Sequence, residues 1–169
     1  MPNPTSILNE WLNCESFITQ KLKDLTGDAT LKLLNQSLSS TNKWERKILE
    51  VDDHIVLRRD ILMYSNETPC WYARTVVPES THAANTSLFA RLEHETLGHL
   101  IFFDNQITRS SIEKYSINSL STEYSWLTPS ISESSPNLWM RKSRFHIHKT
   151  WPLFLMEIYL PGLIGLIEA

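Results

Sequence analysis

Two stretches rich in β-branched and aromatic residues, His54–Tyr64 and Cys70–Pro78, are separated by five residues with turn chemistry, Ser65–Pro69. No other pattern constrains the chain as much, because strand-forming runs joined so closely return on one another as an antiparallel β-hairpin. Side chains alternate faces along a strand, so Ile55, Leu57, Arg59, Ile61 and Met63 share one face. Arg59 thus sits in an otherwise apolar row. With Asn66 and Glu67 as the two-residue tip, Arg59 is predicted to face Arg74, on the side carrying Cys70, Tyr72 and Val76. Like charges opposed on an apolar face are destabilising unless something anionic lies between them. The hairpin is therefore expected to hold an anion.

The rest of the chain alternates helical and strand patterns. Ser6–Leu12 and Glu15–Leu25 read as short helices; in the second, Ile18, Leu22 and Leu25 recur at helical spacing and Gly27 suits the stop. On pattern alone Ile18 is a core residue. Thr30–Leu38 reads as a first strand, followed by a polar turn region, Ser37–Asn42. Beyond the hairpin, Thr86 can cap a helix over Ser87–His94, which Leu97-Gly98 breaks, and Leu100–Phe103 is an apolar run. Ile107–Ile117 alternates as a strand. Asn118–Asn137, rich in Ser and Thr, reads as a functional or flexible loop in which Tyr124, Trp126 and Leu127 pack down. Leu138–His148 reads as a strand with Trp139, Arg141, Ser143, Phe145 and Ile147 on one face. Its other face, Lys142, Arg144, His146 and His148, reads as solvated. Leu153–Leu160 is apolar on both faces, as a central strand covered on both sides would be. Neither a repeat nor a linker divides the 169 residues, which read as one domain, 1–169.

Charge and motif content narrow the function. A net charge of −3 leaves no basic footprint for nucleic acid, so any anion site is a local concentration of arginine. Cys14 and Cys70 make no disulfide framework and share no metal-ligand spacing. Met1–Leu12 lacks the basic flank and apolar run of a signal peptide. The apolar stretch Trp151–Ile167 is interrupted by Glu157, Pro161 and two glycines and falls short of the ~20 apolar residues of a membrane helix. A soluble, cytoplasmic protein is expected. His94 and His99 stand five apart, turned roughly 140° from one another on a helix, unlike a zinc-protease pair. His146 and His148 have no third ligand. No metal site, nucleophile elbow or phosphate loop is expected.

Glu157 lies between Met156 and Ile158 in the last strand. A carboxylate in such surroundings either pairs with a cation or is protonated. It is either a structural salt bridge to an arginine or a group placed to hydrogen-bond a ligand hydroxyl in an apolar pocket. Arg59 and Arg74 suit a dicarboxylate, because guanidinium groups grip carboxylates through paired parallel hydrogen bonds. The alternative is that one pairs with Glu157 and the other reaches water.

Trp71–Pro78, followed by Ser80-Thr81, resembles the W-x-A/G-R-T-V-V-P-x-S-T segment of bacterial chorismate pyruvate-lyases. Further blocks support the resemblance: Leu97-Gly98 with Leu100–Phe102, Thr108-Arg109 with Ile112-Glu113, Leu138–Phe145 and Pro152–Pro161. The resemblance implies an α+β domain with a six-stranded antiparallel sheet flanked by helices. It implies cleavage of chorismate to 4-hydroxybenzoate and pyruvate with no metal or organic cofactor. A monomer is expected, although the sequence does not fix the oligomeric state. The family's ligand-contacting arginine matches Arg59, its second motif arginine matches Arg74 and its ring-hydroxyl glutamate matches Glu157. A ligand-contacting leucine matches Leu97, and a helix methionine falls on Ile18. Thr96 replaces the usual proline before Leu-Gly, Ala73 a frequent glycine and Met140 the glycine of the fourth block. The rival class is a non-catalytic sensor of aromatic carboxylates, since the fold also resembles effector domains of bacterial transcription regulators.

Overall fold

The computed structural model describes residues 4–93, 96–133 and 135–169. The predicted hairpin is there: β2 (Ile55–Ser65) pairs antiparallel with β3 (Thr68–Pro78), and Asn66 and Glu67 form the tip with φ of 45° and 72°. Left-handed angles at both tip residues match the twist of the flanking strands. The register then slips. Tyr64 pairs with Pro69 but Met63 with Trp71, so Cys70 is an extra residue, a β-bulge. Past it, Arg59 pairs with Thr75 and Arg74 with Asp60. A one-residue slip turns side chains to the other face. The expected opposition of Arg59 and Arg74 is thereby corrected: the two guanidinium groups lie on opposite faces of the sheet.

Four further strands complete the sheet: β1 (Thr30–Ser40), β4 (Ile107–Asn118), β5 (Asn137–Ile147) and β6 (Trp151–Tyr159). All neighbours are antiparallel, in the order β1-β2-β3-β6-β5-β4. The sheet is thus two three-stranded meanders joined where β3 pairs with β6. β6 is central and buried from Leu153 onward, as its two apolar faces require. This is the α+β architecture, a six-stranded antiparallel sheet flanked by helices, that the sequence led one to expect.

One face packs under α1 (Ser6–Leu12), α2 (Ile18–Thr26), α5 (Thr86–Ala90), α6 (Leu97–Phe103) and α8 (Pro161–Ile167), whose Trp11, Leu22, Phe89, Ile101 and Leu163 share one apolar core. Gly27 ends α2 at φ 87°, a left-handed cap that costs glycine no side-chain clash. Leu97-Gly98 opens α6 instead of breaking a helix, because Thr96 caps it by accepting from the His99 N–H at 3.1 Å. The helix expected over Ser87–His94 is shorter: α5 passes into a 3-10 turn over Arg91–Glu93. His94 and Glu95 lie outside the described residues.

The other face is covered by α3 (Lys43–Ile48), held by a reciprocal cap between Asn42 and Glu45, and by residues 118–137. That segment is not a plain loop. It forms a 3-10 turn, Glu123–Trp126, and α7 (Pro129–Ser132), and lays Tyr124, Trp126 and Leu127 on the core as expected. The face of β5 expected to be solvated is half-buried at Lys142, Arg144 and His146 and exposed at His148, and Arg144 donates to the Leu49 carbonyl at 3.3 Å. The remaining helix, α4 (Glu79–Ala84), leads out of β3.

Candidate active site

On the face under α2 and α6, alternate residues of three adjacent strands build a floor: Arg59, Ile61 and Met63 of β2, Trp71, Ala73 and Thr75 of β3, and Leu155 and Glu157 of β6. Phe17, Ile18 and Thr19 form one wall, and Leu97, Gly98 and Phe102 the other. They enclose a cavity of about 60 Å³ open to water-sized molecules. Ile18, Arg59, Leu97 and Glu157, four of the five residues expected at a site, all line it. Gly98 is needed for closure. A Cβ there would run into Cε2 of Phe17, whose ring stacks on Phe102 with centroids 5.7 Å apart.

Glu157 is 3% exposed and lies directly across from Arg141, which is fully buried. Arg141 Nε donates to Oε1 at 2.6 Å, and Nη2 stands 3.5 Å from Oε2. The Arg141 Nη1 donates to the carbonyls of Cys14 (2.6 Å) and Trp11 (3.3 Å), and the Tyr159 hydroxyl donates to that same Trp11 carbonyl at 3.2 Å. Burial opposes the charge of Arg141, but the Glu157 carboxylate more than offsets it and raises its pKa. Glu157 is thus ion-paired to an arginine, the first of its two readings, and it also lines the cavity, with Oε2 only loosely engaged. Arg141 is the residue missed. Its signal was in the sequence, a lone cation in the apolar row Trp139, Ser143, Phe145 and Ile147.

Arg59, 7% exposed, donates from Nε to Gln36 Oε1 at 3.1 Å and has no carboxylate partner among the described residues. Burial lowers its pKa. A buried guanidinium without a counter-ion is costly unless an anion arrives to meet it. Two strand spacings, roughly 10 Å across the sheet, separate its strand from that of Glu157. The cavity therefore offers an unmatched cation at one side, a charge-balanced carboxylate at the other and apolar walls between. That suits a ring with an anionic group at one end and a hydroxyl at the other.

Arg74 is elsewhere. Its Nε and Nη2 grip Asp60 Oδ1 and Oδ2 at 2.8 and 3.1 Å, and its ζ carbon lies 4.3 Å from the Trp126 ring. It opens onto a groove with Trp44, Trp126 and Lys47 on the opposite face of the sheet. Among the described residues no group of three or more His, Cys, Asp or Glu side chains could hold a metal ion, and no helix is long and apolar enough to cross a membrane.

The sequence is 29% identical over 160 residues to a protein of Pseudoalteromonas translucida named "Probable chorismate pyruvate-lyase", covering 94% of this chain and 86% of that one. It is 27% identical over 164 residues to the "Chorismate pyruvate-lyase" of Pectobacterium carotovorum, covering 94% and 81%. Among solved structures the fold is similar to PhnF from Mycobacterium smegmatis, with a TM-score of 0.63 at 12% identity over 88% of this chain and 65% of that one. It is also similar to a GntR-family transcriptional regulator from Bacillus cereus, with a TM-score of 0.56 at 13% identity over 79% and 92%. The family model described as Chorismate lyase matches residues 1–165. By its sequence, the chain belongs to the chorismate lyase family.

Proposed function

We propose that this protein is a chorismate pyruvate-lyase, converting chorismate to 4-hydroxybenzoate and pyruvate with no metal or organic cofactor, as a cytoplasmic monomer. The reading is supported by one observation: Ile18, Arg59, Leu97 and Glu157, drawn from four separate elements, line one cavity. In this reading Arg59 holds the ring carboxylate and Oε2 of Glu157 accepts from the ring hydroxyl. Ile18 and Leu97 press the ring between them.

The reaction breaks the ether bond between ring and enolpyruvyl group. The ring carbon bearing the hydroxyl loses its hydrogen, the side chain gains one at its methylene, and aromaticity drives the step. No water or nucleophile is consumed. What the protein supplies is a fixed conformer, with the side chain over the ring, and compensation of charge developing at the ether oxygen in a site shielded from water.

A second reading is a binding domain that senses an aromatic carboxylate, favoured by the likeness of the fold to transcriptional regulators. One experiment decides. Incubated with chorismate alone, the purified protein should release pyruvate and 4-hydroxybenzoate in equal amounts, at a rate unchanged by exhaustive chelation. A protein that binds 4-hydroxybenzoate yet yields no pyruvate is a sensor.

A further inference from the structure

Four arginines of the sheet have carboxylate partners: Arg58 with Glu45, Arg74 with Asp60 and Arg144 with Glu50 on one face, and Arg141 with Glu157 on the other. Two others, Arg59 and Arg109, share the cavity face and have none among the described residues. Arg109, on β4, donates from Nη1 to the carbonyls of Cys14 and Glu15 at 3.5 and 3.4 Å. Its Nε and Nη2 are buried and have no hydrogen-bond partner. Aromatic rings keep the guanidinium dry, with the ζ carbon 5.4 Å from the centre of Phe102 and 5.0 Å from that of Phe145. Cation–π attraction compensates part of the lost hydration but forms no N–H···O bond.

The two orphan donors are informative as a pair. Nε and Nη2 lie side by side on one edge of a guanidinium, the edge that grips both oxygens of one carboxylate. The charges agree with this. On the cavity face, the guanidiniums of Arg59, Arg109 and Arg141 meet one buried carboxylate, Glu157, leaving two positive charges for a ligand. Arg59 and Arg109 stand on β2 and β4, four strand spacings apart, roughly 19 Å between backbones. Two long side chains reaching inward from such positions suit a ligand with an acidic group at each end.

We infer that Arg109 is the second carboxylate anchor of the site, taking the enolpyruvyl carboxylate through Nε and Nη2 while Arg59 takes the carboxylate on the ring. Phe102 lines the cavity and lies against Arg109, so it is the side chain that moves aside to join the two. The role expected of Arg74 passes to a residue the sequence placed only within a family block.

This inference rests on reading the site as a chorismate site, and a comparison of two ligands separates the two claims. Arg109→Met keeps the length and the ring contacts and removes the donors; Arg109→Lys keeps the charge without the paired edge. In both variants kcat/KM for chorismate should fall, by roughly 30-fold or more for Arg109→Met. The inhibition constant of 4-hydroxybenzoate, which has one carboxylate, should stay within about threefold, whereas Arg59→Met should weaken both ligands. Equal losses for the two ligands, or no loss for chorismate, would overturn the assignment. If wild-type protein bound chorismate without releasing pyruvate, the lyase reading would fall, and the same comparison by calorimetry would still decide on Arg109. Wild-type protein that bound neither ligand would overturn both.

Discussion

Arg141 and Glu157 face each other across the β5–β6 hairpin, both out of water, and the same guanidinium ties the chain at Trp11 and Cys14 to the floor of the cavity. The pair therefore connects the N-terminal segment, which supplies a wall, to the strand that supplies the carboxylate.

Breaking that pair from one side is expected to be severe. Arg141→Met leaves a buried carboxylate alone and should cost about 3–5 kcal/mol, as Glu157→Leu should by stranding the guanidinium, whereas the two together should recover much of the stability while abolishing turnover. Urea unfolding of the two single variants and the double variant measures the coupling. Additive losses would mean that the two side chains do not act as a pair.

Arg74 is expected to matter for folding and little for chemistry. Arg74→Met alone strands Asp60 and should cost about 1–3 kcal/mol. Asp60→Asn combined with Arg74→Met should restore most of that and keep kcat/KM within a few-fold of wild type. A double variant that folds normally and has lost turnover a hundredfold would return Arg74 to the mechanism.

Alkaline conditions should destabilise the fold before mildly acidic ones do. Burial pushes the Cys70 thiol up from 9.0 to about 11 and raises the hydroxyls of Tyr72, Tyr115 and Tyr159 as well. The unfolded chain releases these protons at ordinary values, so above about pH 9 the folded state binds more protons than the unfolded one. Stability present below pH 9 is thus lost as pH rises towards 11, with Cys70 contributing on the order of 1–3 kcal/mol. Urea midpoints between pH 7 and 10.5 should decline, and less steeply in Cys70→Ala. A flat profile would contradict this.

Gly98→Ala is a steric test of the cavity wall. The added methyl meets the Phe17 ring, itself stacked on Phe102, and overpacking of this kind costs about 1–3 kcal/mol. Phe17→Leu should relieve the clash, so the double variant should melt closer to wild type than Gly98→Ala does. Identical melting of the Gly98→Ala protein and wild type would show that the wall yields freely.

Much of this architecture could be read from residue order because the sheet neighbours are mostly consecutive strands with plain alternation. Glu157 was legible as a buried carboxylate because nothing polar flanks it. Arg141 was equally legible, since it and Glu157 stand at equal distances from the β5–β6 turn and that register is unbroken. The same counting from Asn66 and Glu67 misplaced Arg74. The tip was right, but a bulge at Cys70 leaves no mark in composition or periodicity; it is chosen by packing in the folded sheet. The helix at Lys43–Ile48 had a visible start, Asn42 followed three residues later by Glu45, which a turn assignment to Ser37–Asn42 obscured. The partition of arginines into paired and unpaired depends on which strands become neighbours, and that is tertiary information.

The meeting of two meanders along β3 and β6 also bears on how the molecule forms. Within each meander, partners are close in the chain and find one another quickly. The seam joins Trp71 to Tyr159 and Ala73 to Glu157, and so closes a far longer loop, which is slow to form. Until it closes, two long apolar strand edges are bare, the condition under which chains stick to one another. Arg59 is on one side of that seam and Glu157 on the other, so the pocket comes into being only with the last docking step. A ligand spanning both would bind the native state alone and stabilise it by mass action. In a cell or a refolding vessel, such a ligand would act as a fastener, keeping the two docked halves together and lowering the population of chains with bare edges.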